Sequence, residues 1–132
     1  MTDRRPQIDL ICNVVIRRPG GQVLLAKYDA EDKRWWLPGR DLVPYEHPDE
    51  VAPKIVRDLG LAAKRVAFTE IESFRGRTGW HVMFNYVVEA SGEPGGKIAS
   101  QWFATDDLPQ MAHGRWEKEV IRRAVAKPTA RA

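Results

Sequence analysis

The chain has 132 residues, of which 43% are hydrophobic and 30% are charged, and its mean hydropathy is −0.45. This size and balance are typical of one globular domain and exclude a disordered or collagen-like chain. The net charge is +3, and a single cysteine excludes an internal disulfide and a zinc site built on two or more cysteines.

The sequence gives no sign of a membrane segment or a secretion signal. No apolar run reaches the roughly 18 residues that a membrane span needs, and Asp9 and Asn13 interrupt the first apolar stretch. We therefore expect a cytoplasmic protein that contacts no membrane. Residues 1–132 should form one domain, with flexible tails at 1–7 and 127–132.

Alternating apolar and polar residues predict strands, and apolar residues at helical spacing predict helices. The predicted strands cover residues 8–18, 22–27, 65–74, 80–89 and 98–104, and the predicted helices cover 48–59 and 113–126. Pro19-Gly20-Gly21 is a turn signal, so the first two strands should form a hairpin. The order of these elements predicts an α/β (α+β) sandwich with helices on both faces of a mixed sheet.

The first predicted helix contains a proline in its interior. Pro48 suits the first helical position, Asp49 and Glu50 suit the first turn, and Gly60 suits the end of the helix. Pro53 does not suit its place, because an interior proline removes a hydrogen bond and costs about 3 kcal/mol. We predict a helix that is kinked, starts late or contains an irregular turn around residues 49–53.

Residues 111–132 carry six lysines and arginines against two glutamates. The basic residues alternate with apolar ones at helical spacing, which favours a helix packed on the sheet with its charges in solvent. The alternative is a nucleic-acid-associated protein, whose affinity would fall steeply with salt. We favour the packed helix and expect no nucleic-acid partner.

Residues 35–61, WWLPGRDLVPYEHPDEVAPKIVRDLGL, resemble the Nudix box and its lead-in. The matching parts are Leu37-Pro38-Gly39, then Glu46 before a helix that starts with proline, and Leu59-Gly60-Leu61 at the end. Gln101-Trp102-Phe103 and Asp107-Leu108-Pro109 are similar to the family's tryptophan-containing strand and the turn that follows it. The resemblance covers most of the chain and implies a Nudix-like α/β/α sandwich around a mixed β-sheet.

The resemblance also implies a MutT-like hydrolase of nucleoside diphosphate derivatives, with Mg or Mn held by glutamates of the box. Counted forward from Glu46 or backward from Gly60, only Asp58 is acidic where the family has three glutamates. Lys54 and Arg57 add positive charge to the same helix. The sequence therefore predicts a degenerate metal site, with hydrolysis weak or lost.

Three acids remain as candidates for a rearranged site. We predict that Glu46, Glu50 and Asp58 are both the catalytic residues and the metal ligands, with Mg or Mn as the cofactor if the protein is active and none otherwise. The alternative for Glu46, Asp49 and Glu50 is that they only balance the positive end of the helix dipole.

A second set of polar residues predicts a ligand site. Arg40 stands where the family has the second glycine of Pro-Gly-Gly, and with Arg75 and Arg77 it could bind phosphate through two hydrogen bonds. His81 and Asn85 share one face of a predicted strand, where they must bond either neighbouring groups or a ligand. We predict that Arg40, His81 and Asn85 bind a small phosphate-containing molecule.

The other histidines and the cysteine have simpler explanations. His47 suits the cap of the first helix, and His113 with Glu117 four residues on suits either a surface role or a metal pair. Cys12 lies in an apolar strand and is expected to be a small core residue.

Two functions remain open from the sequence. The first is a Nudix-like protein that hydrolyses nucleoside diphosphate derivatives weakly or has lost that activity. The alternative is a non-catalytic module of the same fold that binds or senses a nucleotide or another small molecule. Turnover would support the first, and binding without turnover would support the second.

Overall fold

The structure, a computed structural model, describes residues 7–76 and 79–126. The strands are β1 (Ile8–Arg18), β2 (Gln22–Lys27), β3 (Gly39–Asp41), β4 (Ala62–Arg75), β5 (Trp80–Ser91) and β6 (Ala99–Ala104), and the helices are α1 (Pro48–Asp58) and α2 (Arg115–Ala126). Both predicted tails, apart from Gln7, and the predicted phosphate contact Arg77 lie outside the described residues. No helix within the described ranges is long and apolar enough to cross a membrane.

The strands form one mixed sheet in the order β4-β5-β1-β2-β6. β1 runs parallel to β5 over its length, and the other neighbouring strands are antiparallel. One edge of β1 has two partners, because residues 11–13 pair with β3 and residues 16–18 pair with β2. This division brings the short strand β3 beside the middle of the sheet.

Each face of the sheet carries its own apolar cluster beneath one helix. Because side chains alternate along a strand, Cys12, Val14 and Ile16 pack on the α1 side, while Val15 packs on the α2 side. The buried residues of α1 join the first cluster and those of α2 join the second. The predicted α/β (α+β) sandwich with helices on both faces is therefore confirmed.

Helix α1 corrects the prediction made from Pro53. The helix begins at Pro48 and continues through Pro53 to Asp58 without an irregular turn, so the predicted late start and irregular turn are wrong. Val51, Ile55 and Val56 are buried on the sheet, and each contributes about 1.5–3 kcal/mol. Their sum exceeds the roughly 3 kcal/mol cost of one interior proline, so packing outweighs the local penalty.

The other differences lie in the bounds and in β3. Ends of the predicted elements differ from the observed ones by three residues or fewer, whereas β3 was not predicted. β3 forms because Gly39 fits tightly against β1. A Cβ at this position would lie 2.4 Å from Asn13 Oδ1 and 2.7 Å from the Cys12 carbonyl oxygen. Only a glycine therefore lets the two strands come this close.

Candidate functional site

A cleft of about 870 Å³ opens on the α2 side of the sheet, where β1, β3, β5 and the start of α2 meet. This volume lies within the range of roughly 300–1,000 Å³ that is usual for small-molecule sites. Aromatic rings form much of its lining, from Tyr28, Trp36, Phe74, His81, His113 and Trp116. Asn13, Glu72 and Glu117 supply polar groups to the same lining. The cleft thus combines ring surfaces with a few fixed polar atoms.

The rings belong to two groups. The Trp36 ring meets the His113 ring edge to face, with centroids 5.0 Å apart, and His113 meets Trp116 in the same way at 6.0 Å. The His81 ring stacks on Phe74 with centroids 5.0 Å apart. Aromatic surfaces of this kind stabilise planar ligands by stacking.

Three side chains, Asn13, Asn85 and Glu72, form a polar floor to the cleft. Asn13 Nδ2 donates to Asn85 Oδ1 at 3.3 Å, and Asn85 Nδ2 donates to Glu72 Oε1 at 2.6 Å. Arg123 of α2 donates to the second oxygen of Glu72 at 3.2 Å and holds it in place. Asn13 Oδ1 accepts no hydrogen bond from a described residue, so it can accept one from a ligand.

Glu117 connects two walls of the cleft. Its buried carboxylate accepts the backbone N–H of Leu37 at 2.9 Å and the backbone N–H of His113. The carboxylate thus binds the loop before β3 to the start of α2. The alternative of a His113–Glu117 metal pair is not realised, because Glu117 bonds the backbone of His113 while the His113 ring packs on Trp36.

Arg40 and Glu46 form an ion pair beside the cleft, which Arg40 helps to line. The guanidinium donates to both carboxylate oxygens at 2.8 Å and to the Asp41 carbonyl at 3.0 Å. The Val43 N–H donates to Glu46 Oε1 at 2.9 Å. The hydrogen bonds from Arg40 are the main reason that the pKa of Glu46 is lowered to about 2, with the Val43 bond second.

The acids of α1, Asp49, Glu50 and Asp58, do not come together as a metal site. Asp49 accepts the hydroxyl of Tyr86, and burial together with this bond raises the pKa of Tyr86. Glu50 and Asp58 are exposed, and eight positions of helix place them about 12 Å apart along the axis of α1. Among the described residues, no group of three or more histidines, cysteines, aspartates and glutamates is arranged to hold a metal ion.

This donor set does not fit Mg or Mn. A hard divalent ion needs several free oxygen ligands, whereas both oxygens of Glu46 already accept bonds from Arg40. The assignment of Glu46, Glu50 and Asp58 as catalytic residues and metal ligands therefore stays a prediction, and the structure does not bring the three together.

Of the three predicted ligand-binding residues, Arg40 and His81 line the cleft, and Asn85 lies beneath it with 1% of its surface exposed. The sequence analysis missed the other lining residues, chiefly Asn13, Glu72, Tyr28, Trp36 and Trp116. The argument that selected Asn85 applies equally to Asn13, since both are polar residues on one face of an apolar strand. Tyr28 and Trp36 come from a loop and have no periodic signal, whereas the helical spacing of Trp116 favours a packed position in α2.

His47 and Cys12 occupy the places that the sequence suggested. His47 is the cap residue of α1, although its side chain makes no capping hydrogen bond. Cys12 is fully buried under the start of α1, and its burial raises the pKa of the thiol to about 12. Cys12 is confirmed as a core residue.

A second cavity of about 340 Å³ lies at the opposite end of β1, beside the β1–β2 turn. Arg17 lines it and donates to the carbonyls of Ala124 and Val125 at the end of α2. Arg18 also lines it and is paired with Glu93. These arginines fix the end of α2 and a neighbouring loop, so the larger cleft is the stronger candidate site.

Solved structures show which fold this arrangement belongs to. A MutT NUDIX hydrolase from Burkholderia pseudomallei matches with a TM-score of 0.68 and 26% identity, covering 87% of this chain and 98% of that chain. A NUDIX hydrolase from Nitrosomonas europaea matches with a TM-score of 0.72 and 14% identity, covering 91% and 90%. The ORF135 protein of E. coli matches with a TM-score of 0.70 and 15% identity, covering 92% and 91%.

No protein-family model and no curated protein matches the sequence. The chain has the Nudix fold, as its resemblance over residues 35–61 implied. At these identities the shared property is the fold, and the activity of the chain is a separate question.

Proposed function

We propose that the protein binds a planar, phosphate-bearing ligand of the nucleotide type in the cleft and hydrolyses it weakly or not at all. The observation that carries this proposal is a contrast. The cleft is well formed, whereas Glu46, the acid in the loop before α1, is paired with Arg40. Complete loss of hydrolysis would make the protein a non-catalytic binding or sensor module.

The cleft suits a ring with polar edges. Stacking on aromatic side chains contributes about 1–3 kcal/mol per base in other nucleotide-binding proteins. The carboxamide of Asn13 stands at the polar floor with a free oxygen, and Asn85 and Glu72 fix its orientation. A ring that donates one hydrogen bond at its edge would therefore be held by stacking and by Asn13 together.

Weak hydrolysis follows from the chemistry that the fold normally uses. A bound divalent ion polarises the phosphoryl group and lowers the pKa of the attacking water. The donor set here does not fit such an ion, so this chain's own residues can bind and orient the ligand but lack the usual means of activating water. Any activity should depend first on Glu46 and Glu50.

The test is a screen of nucleoside diphosphate derivatives, with Mg and with Mn, for phosphate release and for thermal shift. We expect compounds that raise the melting temperature without rapid turnover. His81→Ala should weaken binding of the best compound about tenfold, because it removes one stacking surface. His47→Ala is the matched control, since His47 is exposed outside the cleft.

A hydrolysis arm separates the enzyme from the binding module. Asp58→Asn, Glu46→Gln and Glu50→Gln are compared for manganese affinity and turnover. Robust wild-type turnover that collapses only in Asp58→Asn would show that the ordinary metal site survives and would contradict the proposal. So would the absence of a thermal shift with every compound.

A further inference from the structure

We propose that Arg40 replaces the divalent ion as the positive charge that receives the ligand's phosphate, so that phosphate binding needs no Mg or Mn. The inference rests on the proposed function, because it concerns the phosphate-bearing part of the same ligand. The group that Arg40 would bind is a terminal or bridging diphosphate.

Arg40 has hydrogen-bond donors that its protein partners leave unused. A guanidinium carries five N–H groups, and three of them are used: two from Nη1, to Asp41 and Glu46, and one from Nη2, to Glu46. No described residue accepts from Nε or from the second Nη2 hydrogen. These two donors point the same way along one edge of the planar guanidinium, and together they form the fork that binds phosphate through two parallel hydrogen bonds.

The fork of Arg40 is held in place by Glu46 and Asp41. The Glu46 carboxylate accepts two hydrogen bonds from the far end of the guanidinium, and the Asp41 carbonyl accepts a third. The Arg40 side chain nevertheless keeps 36% of its surface exposed. A ligand would therefore meet an arginine that has already lost much of its rotational freedom, so binding would cost less side-chain conformational entropy.

The ion pair of Arg40 and Glu46 lies among other charged residues. Lys54 lies close enough to Glu46 to help lower its pKa, and Arg57 lies on the same exposed surface of α1. A divalent cation would have to displace a guanidinium from Glu46. A phosphate would meet the donors of Arg40 with Lys54 nearby, although Asp58 also lies near Arg40. Arg40, which stands where the family has a glycine, and Lys54 thus supply the positive charge that an anion needs.

The experiment compares three kinds of probe on the full chain: nucleoside diphosphates, their parent nucleosides and inorganic pyrophosphate. Affinities are measured by calorimetry in EDTA, in Mg and in Mn. We expect diphosphates to bind at least about tenfold more tightly than nucleosides in EDTA, with little change when Mg or Mn is added. Pyrophosphate should also bind in EDTA.

Arginine variants then test the fork. Arg40→Lys keeps the charge but removes the fork, and it should lose at least about tenfold in the affinity for diphosphate and pyrophosphate while nucleoside affinity stays the same. Arg122→Lys is the matched control, because Arg122 is an exposed arginine of α2 paired with Glu119. Melting temperatures of both variants show whether each is folded. If Arg40→Lys fails to fold, Arg40→Gln and the dependence of wild-type binding on Mg decide the question.

Two results would overturn the inference while leaving the cleft intact. One is a preference for diphosphate that appears only with Mg or Mn, and the other is a preference that is unchanged in the folded Arg40 variants. Failure of every nucleoside and diphosphate to bind would instead contradict the proposed function. In that case metal-free binding of pyrophosphate, and its loss in Arg40→Lys, would still support the role of Arg40, and no such binding would overturn it.

Discussion

Cys12 and Asn13 are neighbours in β1, yet they face two different environments. Cys12 points to the α1 side and is fully buried, whereas Asn13 points to the α2 side and lines the cleft. On the α1 side Glu46 is paired with Arg40, while on the α2 side no described residue donates a hydrogen bond to Asn13 Oδ1. One strand therefore borders a fully buried core on the α1 side and an open cleft on the α2 side.

The largest expected effect concerns the frame of the open side. Glu117→Ala removes the acceptor for two backbone N–H groups, those of Leu37 and His113. Leaving them unpaired should lower the free energy of unfolding by about 2–5 kcal/mol, measured by urea denaturation. Glu119→Ala, in the same helix but in a surface ion pair, should leave the free energy of unfolding nearly unchanged. Equal losses in both variants would show that Glu117 does not hold the cleft together.

A smaller effect is expected from the polar floor. Asn85→Ala and Glu72→Ala should each cost about 1–3 kcal/mol of stability, because each leaves a hydrogen-bonding partner unpaired. The two losses should not add, and a double-mutant cycle should give a coupling of at least about 1 kcal/mol. Additive losses would mean that the two side chains act independently and that Asn13 is oriented by other contacts.

The ion pair of Glu46 and Arg40 should make the stability of the protein depend on pH in the acid range. The pKa of Glu46 lies at about 2, below its ordinary value of 4.5, so its ionised form stabilises the fold. This contribution is complete above pH 4.5 and is lost as the pH falls from 4.5 to about 2. Glu46→Gln should therefore be less stable than the wild type at neutral pH, and the difference should shrink over that interval.

The control for this acid effect is the partner of Glu46. In a Glu46→Gln background, a further change of Arg40→Gln should not alter the pH dependence between pH 4.5 and 2, because the pair is already broken. A difference between wild type and Glu46→Gln that is constant with pH would contradict the role given to the pair.

The smallest expected effect is at Cys12. Burial raises the pKa of its thiol to about 12, so the reactive thiolate is scarce at pH 8. A thiol reagent should leave the folded protein unmodified over minutes and should react at once in denaturant. Modification of the folded protein within seconds would show that the α1 side opens readily and would contradict the contrast between a buried Cys12 and an accessible Asn13.

The sequence predicted the long strands and both helices because their apolar residues repeat with a clear period, and because glycines and prolines mark the turns. β3 has only three residues, and its pairing depends on how closely Gly39 approaches β1, which no local pattern records. The late start and the irregular turn predicted from Pro53 are wrong for a related reason. The local penalty of Pro53 is visible in the sequence, whereas the burial that outweighs it is a property of the folded chain.

The same distinction applies to the site. Arg40, His81 and Asn85 could be predicted as ligand-binding residues from the chemistry of their side chains. The structure places Arg40 and His81 in the lining of the cleft and Asn85 beneath it. Trp36 and Trp116 are 80 positions apart and meet only through the fold. The pairing of Glu46 with Arg40 depends on the path of the loop between β3 and α1, so the sequence could name both residues without predicting the ion pair.

The carboxylate of Glu117 has a mechanical consequence for the cleft. Its two oxygens join the loop that carries Trp36 to the helix start that carries Trp116. The loop and the helix start therefore move as one body, and separating them would break both hydrogen bonds at once. The spacing of these two walls is thus set by one buried side chain, Glu117.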